Sequence, residues 1–195
     1  EGNFKHKKWE FGLQTVNQMP STGQNNLESN ERYMRPDEDT WVVSGQIKWN
    51  HDKLSASAAY LHSFSNGRFL FPKELGREDF FVSHSRTWVD GFANLNVYQL
   101  RLEGKIKKHW SYDVRMSYWD GPGIYAFSHN KYGKPDFYQW YSSLVYHFRD
   151  QWDGLTTELL FVSRRSEAGA LPVSKMFYQT NFQHFNFIVN YTITI

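Results

Sequence analysis

A set of charged and amide side chains recurs at every second position of otherwise apolar stretches: Lys48, Arg101, Glu103, Lys105, Asp113, Arg115, Gln139, Arg149, Glu158 and Arg164. Such residues do little chemistry by themselves. Lined up along a narrow water-filled passage, they select solutes by charge. The alternative is a mixed-charge interior that pairs with itself and holds its walls in shape. A second group sits in the irregular stretch 65–94. There Arg77, Glu78, Arg86 and Asp90 lie among Phe69, Phe71, Phe80, Phe81 and Trp88. A long loop so rich in aromatic rings is costly to leave in water. It is expected to pack in a lumen as a constriction, to cap the molecule, or to meet a partner.

Positioning such side chains calls for strands. From Trp110, the apolar set Trp110, Tyr112, Val114, Met116 and Tyr118 alternates with Ser111, Asp113, Arg115 and Ser117. From Tyr98, the set Tyr98, Leu100, Leu102 and Ile106 alternates with Gln99, Arg101, Glu103 and Lys105. The tail "FNFIVNYTITI" repeats the pattern. A period of two places one set on each face of a strand. Eight strands are expected, at about 8–16, 40–50, 54–64, 95–106, 110–119, 137–149, 155–165 and 179–195.

The connections alternate in length. "HDK", "KKH" and "DQWDG" are short, whereas 17–39, 65–94, 120–136 and 166–178 are long and rich in Gly, Pro, Asn and Ser. Aromatics gather at both strand ends: Trp9, Trp49, Trp110 and Phe148 near the short turns, and Trp41, Tyr60, Tyr118, Tyr138 and Trp140 near the long loops. Long strands, girdled at both ends and joined alternately by turns and loops, predict an antiparallel transmembrane β-barrel. Trp9, Trp41, Trp49, Trp110, Tyr118, Trp140 and Phe148 are then lipid-interface residues. A soluble antiparallel sandwich also alternates, but its core favours Val, Ile and Leu and needs no aromatic girdles.

Composition narrows the classes further. Aromatic residues make up 18% of the 195 residues, while mean hydropathy is -0.67. That combination suits a barrel, in which every second strand residue faces lipid. No run of about 18 apolar residues exists, so no membrane-spanning helix is expected. The net charge of +2 gives no reason to expect a nucleic-acid partner. There is no cysteine, which removes disulfides and thiolate metal sites. The eight histidines show no pairing at i, i+2 or i, i+4, so no metal or other cofactor is expected. Beginning at Glu1 without a Met, the chain reads as a processed product or a piece of something longer.

The stretch "FSNGRFLFPKELGREDFFVSHSRTWVDGFANLNVY" (64–98) resembles a region of OprD-like outer-membrane porins, in which a Gly-Arg-Glu segment precedes an aromatic pair. "NKYGKPDFYQW" (130–140) is similar to an Asn-Lys-Tyr-Gly-x-Pro loop of Bacteroidetes-type members. "FIVNYTITI" fits the family's last strand. The resemblance implies the C-terminal part of a monomeric barrel of about eighteen strands in the bacterial outer membrane. Such barrels fold loops into the lumen and pass small, often charged solutes by diffusion. The implied surroundings are outer-membrane lipid, the solutes, and either the remaining N-terminal strands or other outer-membrane proteins. Where "SHSRTWVDG" stands, a second charged residue is expected beside Arg86.

Two further readings compete. A non-conducting barrel would serve as a structural or docking subunit of an outer-membrane complex, with loops 17–39 and 65–94 as contact surfaces. The third reading is a lipid-acting enzyme, because "HSFSNGR" (62–68) is similar to the His-x-Ser-Asn-Gly-Arg motif of outer-membrane phospholipase A. A strand nucleophile and its base must share a face, two residues apart. Here His62 shares its face with Phe64, and Ser63 and Ser65 fall on the other, so no catalytic residues are assigned.

Overall fold

The computed structural model describes residues 1–20, 38–71, 78–166 and 181–192. Within them the chain is all-β. Nine strands run in order: β1 (Gly2–His6), β2 (Trp9–Gln18), β3 (Thr40–His51), β4 (Leu54–Ser63), β5 (Leu95–Lys107), β6 (Trp110–Asp120), β7 (Phe137–His147), β8 (Leu155–Ser166) and β9 (Phe182–Tyr191). Each pairs antiparallel with the next in a single up-and-down sheet. β1 and β9 form its two edges and do not pair with each other.

The eight expected strands are present as β2–β9. The expected number is corrected to nine by β1, whose sequence GNFKH offers one large apolar residue and no alternation to read. It turns into β2 through Lys7, whose φ of 54° is the left-handed geometry that tight hairpins use. β7 stops at His147, so Phe148 and Arg149 lie beyond it, ahead of a short 3-10 turn at Asp150–Trp152. Residues 179–180 and 193–195, most of 17–39 and all but the edge of 166–178 lie outside the described residues.

The pairing register aligns side chains in rows across one face. One row holds Trp9, Trp49, Ala56, Leu102, Val114, Ser142, Phe161 and Phe185. The next, towards the long loops, holds Phe11, Ile47, Ala58, Leu100, Met116, Trp140 and Ser163. Beyond it run Leu13, Gly45, Tyr60, Tyr98, Tyr118 and Tyr138, ending at Arg165. Tyr60 and Tyr98 ring centroids are 5.1 Å apart, and Tyr118 stacks on Tyr138 at 4.6 Å. The row after that turns polar, with His62, Asn96 and Asp120 joined through hydrogen bonds. The apolar rows are open: Leu100 is 64% and Phe185 70% exposed.

The other face is covered. The β4–β5 connection folds back over it and builds the core. Phe69, Phe80, Val82, Val89 and Phe92 from the connection pack against Val42, Leu61, Val97, Trp119 and Phe137 of the sheet. Burying side chains of this size stabilises by roughly 1.5–3 kcal/mol each, enough to hold the described part of the connection, which forms no strand or helix. The aromatic loop therefore packs on its own sheet.

Candidate functional site

Residues 78–92 form a strap that crosses the covered face, and side chains from five strands hold it. Gln14 of β2 donates to the Asp79 carbonyl at 2.9 Å and accepts from the Phe81 N–H at 3.2 Å. Gln99 of β5 donates to the Phe81 carbonyl at 2.9 Å, and Arg115 of β6 to the Ser83 carbonyl at 2.9 Å. Gln139 of β7 donates to the Ser85 carbonyl at 3.0 Å, and Arg164 of β8 to the Arg86 carbonyl at 2.7 Å. The Arg164 guanidinium lies between the Phe137 and Phe182 rings, 4.3 and 4.8 Å from their centroids. Gly12 lets the strap sit close, since a Cβ there would meet the Phe81 ring at 2.3 Å.

Two groups of the strap, Glu78 and His84, have pKa values moved by their surroundings. The Glu78 carboxylate accepts the Val89 and Asp90 N–H groups at 2.7 Å each and so fastens the two limbs together. Burial pushes its pKa up to about 7, although those two bonds pull the other way. His84 contacts Ser117 Oγ at 3.0 Å through Nε2 and the Gln139 amide at 2.9 Å through Nδ1. Burial, together with the neighbouring Arg115 and Arg164 cations, pushes its pKa down to about 3, so the imidazole is neutral. Asp90 accepts from the Phe71 N–H and the Tyr132 hydroxyl, which ties the strap to the β6–β7 connection.

On the short-turn side of the strap lies a cleft of about 990 Å³, lined among others by Gln46, His84, Arg101, Arg115, Tyr141 and Glu158. Arg101 and Arg115 of its wall belong to a chain of ion pairs that runs on towards the short turns. Lys48 pairs with Glu103, and Glu103 with Arg101. Arg101 grips Asp113 with two nitrogens at 3.0 and 3.1 Å, and Arg115 completes the chain on Asp113 at 2.6 Å. The Arg115 guanidinium also lies 5.0 Å from the Tyr141 ring centroid. Three cations face two anions, so the chain leaves one net positive charge beside the cleft. Its members are partly exposed, so their field reaches the solvent beside them.

Most of the expected lining residues meet here. Lys48, Arg101, Glu103, Asp113 and Arg115 are joined, and Glu158 lines the cleft while accepting from Ser143. Gln139 and Arg164 are instead buried beneath the strap, 1% and 4% exposed, and act as its anchors. Lys105 is exposed, beside a register shift between Lys105 and Lys107, and lines a second hollow nearer the short turns with Glu103 and Asp113. Arg149 is exposed in the β7–β8 connection, past the strand end. Of the expected constriction, Glu78 and Asp90 are buried fasteners, the Arg86 side chain is exposed with φ at 71°, and Arg77 lies outside the described residues.

Gln14, Gln99, Ser117, His84 and Thr87 were not anticipated. The first three sit on covered-face positions that alternation alone could identify. His84 and Thr87 lie in an aperiodic stretch that carries no such signal. The His62 imidazole contacts Asn96 at 2.9 Å, while Ser63 Oγ donates to the Phe92 carbonyl on the opposite face. Among the described residues, no group of three or more His, Asp or Glu could hold a metal ion. Comparison with family models, curated proteins and solved structures returns no match for the chain.

Proposed function

We propose that this sheet is part of the wall of an outer-membrane β-barrel porin of the OprD-like kind, passing small, charged solutes by diffusion along the cleft. The order of rows on the open face carries this reading: aliphatic and aromatic rows, then a tyrosine row, then a polar row. That sequence matches hydrocarbon, interface and water. An edge strand in hydrocarbon leaves N–H and C=O groups unpaired at several kcal/mol each. β1 and β9 therefore need covering, and further strands of a larger barrel of about eighteen would do this. The strap narrows the passage on the long-loop side, and the ion-pair chain sets the field below it.

Single-channel recording of the native polypeptide in planar bilayers tests the reading. Discrete conductance is expected. Arg164→Ala, which frees the strap from the Arg86 carbonyl, should raise it. Absence of conductance in both proteins would overturn the porin reading. A second reading is favoured by the apolar cluster under the strap, which fills the long-loop end of the covered face. It is a non-conducting barrel that docks other outer-membrane proteins, and it predicts no conductance together with stable co-purification of a partner.

A further inference from the structure

All four short connections of the sheet share a composition that conduction does not require. The β1–β2 turn carries Lys7 and Lys8 directly before Trp9, and Lys107, the last residue of β5, stands with Lys108 of the β5–β6 turn before Trp110. Lys53 follows Trp49 across the β3–β4 turn, and Arg149 precedes Trp152 in the β7–β8 connection. These six cations are exposed, and the same four connections, counted with the strand residues that flank them, hold three carboxylates, Asp52, Asp150 and Asp153. The turn end thus carries a net +3, more than the +2 of the whole chain. Among the described residues, no ion pair joins any of the six to a carboxylate.

The tryptophans indicate which anion such a rim fits. Trp9, Trp110 and Trp152 are 44%, 37% and 61% exposed, and Trp9 opposes Trp49 across β2 and β3. Indole combines an apolar body with one N–H donor and settles where hydrocarbon meets polar headgroups. Lysine stems can lie along the apolar rows while their ammonium groups reach outward. A nucleic-acid backbone would want the cations along a groove. Here they stand at hairpin tips, beside a face built for hydrocarbon.

We propose that the turn end is a headgroup anchor, which binds the phosphates of an anionic phospholipid leaflet and fixes which end of the sheet meets that leaflet. It rests on the membrane reading above and adds the lipid class and the orientation. Each cation near such a surface contributes about a fivefold gain in association, so four of them contribute at least about a hundredfold. The gain should fade with salt as the screening length falls from ~30 Å at 0.01 M to ~3 Å at 1 M.

The test measures association of the refolded full chain with phosphatidylcholine vesicles, with and without anionic phosphatidylglycerol. The expected result is a preference of at least about a hundredfold for the anionic vesicles at low salt. A variant combining Lys7→Glu, Lys53→Glu, Lys108→Glu and Arg149→Glu should lose that preference and still bind neutral vesicles. The corresponding four-site Gln variant, which adds no repulsion, should lose most of it. Equal association with both vesicle types, while the protein still conducts, would overturn the anchor and leave the porin reading standing. Failure to associate with either vesicle would overturn both. Tight binding to a DNA duplex without phosphatidylglycerol dependence would overturn the anchor in favour of a general polyanion surface.

Discussion

Within the strap, Glu78 and His84 respond to protons in opposite senses. The docked strap raises Glu78 from its ordinary 4.5 to about 7, so docking is favoured by protonation. That contribution is full below about 4.5 and is lost as pH rises through 7. His84 falls from 6.5 to about 3, so docking favours its neutral form. That contribution is full above 6.5 and is lost as pH falls toward 3. Between about 4.5 and 6.5 the two oppose each other, and the strap should stay docked with little pH dependence. Glu78→Gln removes one arm and should make the strap open in acid. His84→Gln removes the other and should make it open as pH rises towards neutral. Proteolysis of the strap across pH 4–8 reads both outcomes, and parallel profiles for the two variants would contradict the assignment. At this scale the sequence made the wall side legible. Arg101, Asp113 and Arg115 sit on the polar parity of their strands and do meet. Their partners in the strap were not legible, because a connection without period does not say which of its side chains turns inward.

The strands were readable because most run ten residues or more with one face apolar. β1 has five residues and a single phenylalanine, so nothing in it distinguishes a strand from a loop. Where the long connections go was also hidden, since their aromatic content says only that they pack. Two glycines separate strap from sheet experimentally. Gly12→Leu drives a side chain into the Phe81 ring, and should lift the strap while leaving strand pairing intact. Gly104→Val instead meets the Lys53 carbonyl, 2.3 Å from the new Cβ, which is backbone and cannot move aside cheaply. It should cost about 1–3 kcal/mol of stability and loosen the β4–β5 pairing. Hydrogen exchange distinguishes the two, with loss of protection confined to the strap in the first variant and spread along β4 and β5 in the second.

For the whole molecule, the sheet presents an apolar face wide open to its surroundings, a covered face that keeps its charges, and two edges without partners among the described residues. A soluble protein rarely leaves contiguous apolar surface on this scale, and the proposed contact with lipid would remove the contradiction. The alternation of the sequence made that two-faced character legible from the start. The total strand number was not legible, because edges look like any other strand in sequence. The central claim is that the open face meets hydrocarbon and the covered face meets water. The chain lacks cysteine, so single cysteines along β5 can each carry one nitroxide. In vesicles, labels at Tyr98, Leu100 and Leu102 should collide with dissolved oxygen and be shielded from a water-soluble relaxant, and labels at Arg101 and Glu103 should show the reverse. Equal access of the water-soluble relaxant to both sets would contradict the account.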